Sequence, residues 1–254
     1  ELICLYRSIN NGDRQLFFNA LDKIIYNWDL LTEMIKKNSI FFIDTYRKYS
    51  QDTIDDTELK NALYKFILIN STRFNSMFST MFNFNIDNFT KEIKVNFLRK
   101  IKRMKELEKI MQLLPDKDVL DNIETALKSA FYMHLRHIYN NIKEYKINRA
   151  LKTAIFLFIR NFAYSGMFRY NSKGDFNVPY GGIAYNRKNF QKKVEYLRSK
   201  NLKKLLNKTI IENKDFESFF QVHQPDKNDF IFLDPPYDSD FSTYAKNEFT
   251  KKDQ

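Results

Sequence analysis

The chain has 254 residues, 43% hydrophobic and 29% charged, which supplies enough apolar material for a sizeable core and excludes a wholly disordered protein. With 42 Lys and Arg against 31 Asp and Glu, the formal charge is +11, a surplus that suits a phosphate backbone or an acidic surface without proving either. The single cysteine, Cys4, excludes an internal disulfide framework and fits a reducing cytoplasm, the purest apolar run (154–159) is far too short to span a membrane, and no signal-peptide pattern opens the chain.

Only five Gly and five Pro interrupt the chain, so long helices are predicted for its first two-thirds. Leu2, Ile3, Leu5, Tyr6 and Ile9 begin a helix that Asn10–Gly12 can close. Three-and-four spacing of apolar residues continues through 13–49 and 57–75. From 89 to 114, Ile93, Phe97, Ile101, Met104, Met111 and Leu114 share one face, and Leu113–Asp118 then breaks the pattern. A second periodic stretch through Ile123, Leu127, Ala130, Leu135, Ile138 and Ile142 completes a predicted antiparallel helical hairpin over about 77–148. Glycines and Pro179 then mark a loop with a short hairpin at 176–178, followed by one basic helix over 187–208 with nine Lys or Arg against one Glu. Residues 209–212 and 230–233 read as two strands buried on both faces, because neither alternates polar with apolar.

The last of these runs into Asp234-Pro235-Pro236-Tyr237. An apolar strand ending on a polar residue marks the ligand-binding edge of an open parallel sheet. The two prolines stop the sheet from continuing, so a peptide carbonyl can point into a pocket. Methylation of an exocyclic amine needs such a set. Two acceptors gripping the two hydrogens of adenine N6 make its lone pair available, and an aromatic ring holds the base out of the duplex.

Asp234–Tyr237 after an apolar strand resembles the catalytic motif of amino-methyltransferases that use S-adenosylmethionine. A second segment, Tyr164-Ser165-Gly166-Met167-Phe168-Arg169-Tyr170-Asn171 followed by Gly174-Asp175-Phe176-Asn177-Val178-Pro179-Tyr180-Gly181, resembles the target-recognition region of Dam-type DNA adenine methyltransferases. The resemblance implies an α/β fold: a partial Rossmann-like, S-adenosylmethionine-dependent methyltransferase sheet with a large, mostly helical target-recognition region. Residues 1–12 and 186–254 would belong to the catalytic domain. Residues 13–185 would form the helical insertion and recognition region, with the reading loop at 160–182 and the hairpin as an addition on which the resemblance is silent. It also implies that the cofactor's glycine-containing loop and ribose-binding acid lie before Glu1, while Thr250–Asp253 reads as a helix start, so the chain is expected to be the middle of an enzyme.

The resemblance implies roles on matching positions. Asp234, Pro235, Pro236 and Tyr237 would be catalytic, and Asp215, Phe216 and Asp234 would hold S-adenosylmethionine. Arg169 would grip a guanine edge. Tyr164 would wedge into the duplex, Met167 and Pro179 would lie near a thymine methyl, and Ser165, Lys173 and Asn177 would support or contact the backbone. Ser165 stands where the family usually has Asn, and Gly182 where a basic residue is common, so the family's GATC site is not carried over. Double-stranded DNA is the expected partner, in the cytoplasm of a bacterium or a phage-infected cell, as the companion of a restriction endonuclease or as a solitary methylase. No metal is required: His134 and His137 sit three apart, but no Cys or acid is spaced to complete a site. Two alternatives stay open, an RNA adenine methyltransferase sharing the same chemistry and a catalytically inactive DNA-binding piece.

Overall fold

The computed structural model describes residues 1–10, 13–78 and 86–234. Among them the chain forms eleven α-helices: α1 (Leu2–Asn10), α2 (Arg14–Lys37), α3 (Ser39–Ser50), α4 (Asp56–Ile69), α5 (Ser71–Phe78), α6 (Ile86–Glu108), α7 (Asp116–Asn140), α8 (Arg149–Phe162), α9 (Phe190–Arg198), α10 (Lys200–Leu206) and α11 (Phe216–Val222).

The predicted helical hairpin is present as α6 and α7, broken where Pro115 forces the turn. Ile93, Phe97, Ile101 and Met104 are buried against α7, whereas Met111 lies beyond the end of α6 and is exposed. The hairpin is not a separate body. Helix α7 also packs on α2, α3 and α8, and its residues share one hydrophobic core with them. At the centre lies Trp28 of α2, ringed by Phe131, Phe158, Phe162 and Tyr180 at centroid distances of 4.5–6.1 Å. Helix α8 carries the apolar run 154–159, all of it buried, which is why that run shows no single apolar face.

Two long periodic stretches divide where an asparagine ends a helix. Asn38 separates α2 from α3 and Asn70 separates α4 from α5; each side-chain amide donates to the carbonyl four residues back, at 2.8 and 2.9 Å. Helix α4 opens with a capping box in which Asp55 accepts from Thr57 and Glu58 and Glu58 reaches back to the Asp55 amide. The single basic helix expected over 187–208 is likewise two helices. Ser199 sits extended between α9 and α10, and its hydroxyl accepts from the Leu202 amide.

The expected strands differ more. No β-strand forms among the described residues; there are two isolated antiparallel bridges, Ala163 with Tyr180 and Tyr170 with Phe176. Residues 209–214 and 230–234 are irregular, and Phe230 and Phe232 are 89% and 77% exposed rather than buried on two faces. The physical reason is that a strand exists only through its ladder, and the described residues offer these segments no neighbouring strand. The partial Rossmann-like sheet expected from the resemblance is thus not formed among the described residues. Asn11 and Gly12 of the first predicted stop, Pro235–Tyr237 of the catalytic motif and the helix start at 250–253 fall outside the described residues.

Candidate nucleic-acid interface and methyl-transfer motif

The loop after α8 is built as a small, tied platform. The Tyr164 amide donates to the Pro179 carbonyl and the Gly181 amide to the Phe162 carbonyl, both at 2.9 Å, which pins the two sides of the loop together. Ser165 (φ 52°) and Gly166 (φ 64°) then turn the chain through two successive left-handed residues. Among residues with a side chain, Asn tolerates this region well, and Ser165 adopts it without that advantage. At the tip, Asn171 closes 171–175 by accepting from the amides of Lys173 (3.0 Å) and Asp175 (2.9 Å). Gly181 is required for space, because a Cβ there would run into the Tyr185 ring.

Side chains along this loop sort by face. Phe176, Val178 and Tyr180 point into the core, while the residues between them face outward, Asn177 partly covered and Pro179 exposed. Tyr164, Ser165, Arg169 and Lys173 are exposed as well, and Met167 is half-buried against the core. The residues expected to meet DNA are thus gathered on one exposed loop. Arg169 Nε donates to Asn177 Oδ1 at 3.1 Å and the Asn177 amide donates to the Arg169 carbonyl at 3.2 Å. Among the described residues the terminal guanidinium nitrogens of Arg169 take no ion pair and no hydrogen bond, leaving the fork available to an outside acceptor.

From behind, helix α7 holds this loop by its backbone. Tyr132 Oη and an Arg136 guanidinium nitrogen both donate to the Val178 carbonyl at 3.0 Å. Asn140 donates to the Phe176 carbonyl (3.1 Å) and accepts from its amide (2.9 Å). Lys128 Nζ donates to the Asn186 carbonyl at 2.8 Å, is paired with Glu124 at 2.7 Å and lies over the Trp28 ring; burial lowers its pKa. Sequence reasoning missed this set, although Lys128, Tyr132, Arg136 and Asn140 stand four apart on a helix with largely apolar neighbours, a line of polar residues that asks for partners.

The two histidines do not converge. His134 is fully buried, with Nδ1 3.0 Å from the Asn88 amide nitrogen, and burial, helped by the charge of His137, holds its pKa at about 3. His137 instead meets the Tyr145 hydroxyl at 3.1 Å.

Farther along, Asp215 caps α11: one carboxylate oxygen accepts the Ser218 amide at 2.9 Å and the other its hydroxyl at 2.8 Å. These bonds hold its pKa below the ordinary value, and the carboxylate keeps acceptor sites beyond the two in use. Phe216, Phe219, Phe220, His223 and residues 230–233 line an open groove of about 630 Å³, and Asp234 follows directly, exposed. An aromatic wall next to a carboxylate fits a purine-bearing cofactor. Among the described residues, no hydrogen bond or ion pair joins Asp234 to the recognition loop.

The helical region thus presents a tied, exposed loop, and an apolar segment farther on leads into Asp234. Residues 90–254 match the D12 class N6 adenine-specific DNA methyltransferase family, and the chain belongs to that family. It is similar to the type II methyltransferase M.CviBI of Paramecium bursaria Chlorella virus NC1A, at 33% identity over 138 residues, covering 52% of this chain and 50% of the relative. M.MjaIII, a type II methyltransferase of Methanocaldococcus jannaschii, is 32% identical over 150 residues, 57% and 49% of the two chains. The retron Ec67 DNA adenine methylase of Escherichia coli is 33% identical over 132 residues, 52% and 42%. The chain spans about half the length of the curated relatives it matches. No solved structure matches it. Among the described residues no helix is long and apolar enough to cross a membrane.

Proposed function

We propose that the protein transfers a methyl group from S-adenosylmethionine to N6 of an adenine turned out of a short duplex DNA site. The reading rests above all on the sorting of the recognition loop: Tyr164, Arg169, Lys173, Asn177 and Pro179 face outward on a backbone tied from behind, within a family match that runs on through Asp234–Tyr237. Arg169 offers its fork to a guanine O6 and N7, and Asn177 sets the angle of that fork. Tyr164 fills the space of the extruded base, Met167 and Pro179 lie against a thymine methyl, and Ser165 and Lys173 support the backbone contact.

S-adenosylmethionine, when bound, supplies the activated methyl group. Phe216 is suited to pack on its adenine ring, Asp215 to accept from that ring's edge and Asp234 to border the same pocket. The Asp234 carboxylate and the Pro235 carbonyl each accept one N6 hydrogen of the target base, which draws the nitrogen towards the geometry that attacks. Pro236 ends the strand direction and Tyr237 stacks on the flipped base. Asp234 would sit at the edge of a Rossmann-like sheet. The protein would work in the cytoplasm of a bacterium or a virus-infected cell, with or without a cognate restriction endonuclease.

Labelled methyl transfer by the complete protein to duplex DNA, single-stranded DNA and structured RNA tests the reading. N6-methyladenine in duplex DNA is the expected product. Label in RNA alone, or in no nucleic acid, contradicts it.

A further inference from the structure

We propose that α7 is a specificity-setting splint: the polar line Lys128, Tyr132, Arg136 and Asn140 fixes the register of the recognition loop and thereby sets how strictly the protein discriminates between DNA sites. This rests on the proposed reading of that loop as the DNA-reading element. The four residues repeat every four positions, about 6 Å of helix rise per step, so they form one row along α7. Three of them hydrogen-bond to loop backbone atoms, Tyr132 and Arg136 to Val178 and Asn140 to Phe176 in both directions, while Lys128 holds the Asn186 carbonyl just past the loop. The outward side chains of the loop are thus left free to read, while the peptide beneath them is held.

The path from the row to the reading residues is short. Val178 precedes Pro179, whose carbonyl takes the Tyr164 amide, and follows Asn177, which holds Arg169. A slip at the Val178 carbonyl therefore moves the wedge and the fork together. Asn186 reinforces the far end, since its buried side chain donates to Thr125 Oγ1 at 2.9 Å and accepts from Tyr180 Oη at 2.8 Å. Lys128 and Tyr132 are buried and Arg136 and Asn140 half-buried, so a donor left unsatisfied in this row would cost stability, and here each finds a backbone carbonyl. Base discrimination depends on placing a guanidinium fork within a few tenths of an ångström, which a loosely tied loop does not do.

The test compares Tyr132→Phe, Arg136→Gln and the double variant in the complete protein with Ile93→Val, a core change on α6 of comparable cost to stability. Tyr132→Phe keeps the ring packed on Tyr180 and removes only the hydroxyl donor. The readout is the ratio of kcat/KM at the preferred duplex site to that at single-base variants of it, together with amide exchange at Tyr164 and Gly181. In the double variant the ratio is expected to fall about 10-fold, as two hydrogen bonds to one acceptor are lost, and both amides to exchange faster; Ile93→Val leaves ratio and exchange at the parental values. Unchanged selectivity in an active double variant, or an equal loss in Ile93→Val, overturns the splint alone. A parent inactive on duplex DNA overturns the DNA reading and the splint together.

Discussion

Arg169 and Asn177 hold each other twice, side chain to side chain at 3.1 Å and backbone to backbone at 3.2 Å, across a loop that has no regular strand. The contact presets the guanidinium plane while leaving its two terminal nitrogens open, so little rotamer freedom is lost on meeting a base. Arg169→Ala should lower kcat/KM at the preferred duplex site by about 10- to 100-fold, the range of a good bidentate base contact. Asn177→Ala should cost less, because the fork remains and only its rest is lost. Steady-state methylation of a site-bearing oligonucleotide duplex reads both.

Ser165 carries a positive φ of 52° on a residue ill-suited to it. Ser165→Asn should raise stability by about 0.5–1 kcal/mol, because Asn relieves part of the left-handed penalty. Chemical denaturation of the two proteins measures it, and equal midpoints would mean that the turn stores no such strain.

His134 links stability to acid. Its folded pKa is lowered from 6.5 to about 3, so between those values the unfolded chain binds the extra proton; the stability is fully present above pH 6.5 and is lost as pH falls towards 3. Protonation would also place a second N–H at Nδ1, pointing at the Asn88 amide NH2 from which Nδ1 otherwise accepts. At pH 5 the loss is about 2 kcal/mol by linkage. Thermal melts at pH 7 and pH 5 should show this fall, and His134→Leu should show a shallower dependence on pH.

Lys192, Lys203 and Lys204 are exposed on α9 and α10, and none of the three is ion-paired among the described residues. If these helices follow the phosphate backbone, changing all three to Gln should reduce the slope of log K against log salt by up to about 3, close to one per phosphate released. DNA binding measured between low and moderate salt gives the slope, and an unchanged value removes these helices from the interface.

Much of the helical region was legible because its periodicity is imposed locally. The α6–α7 hairpin, the start of α1 and the turn at Pro115 follow from apolar spacing and one proline. The breaks at Asn38, Asn70 and Ser199 were not, because each depends on a side chain bonding to a nearby backbone group rather than on a missing apolar residue. Strands at 209–212 and 230–233 were read from composition, yet a strand is made by its neighbour, which composition does not supply. Within the site, the loop residues were singled out through a motif, and the structure leaves Tyr164, Ser165, Arg169, Lys173 and Pro179 exposed. The α7 row stayed hidden because its partners are backbone groups, which leave no mark in the sequence of the segment they hold.

The most direct measurement is the N6-methyladenine content of duplex DNA incubated with S-adenosylmethionine and either the complete protein or its Asp234→Ala variant, both shown to be folded. Loss of at least about 100-fold in methyl transfer with DNA binding retained is the predicted result, since one of the two groups that orient the amine is gone. Parental rates in the variant would contradict the account at its centre.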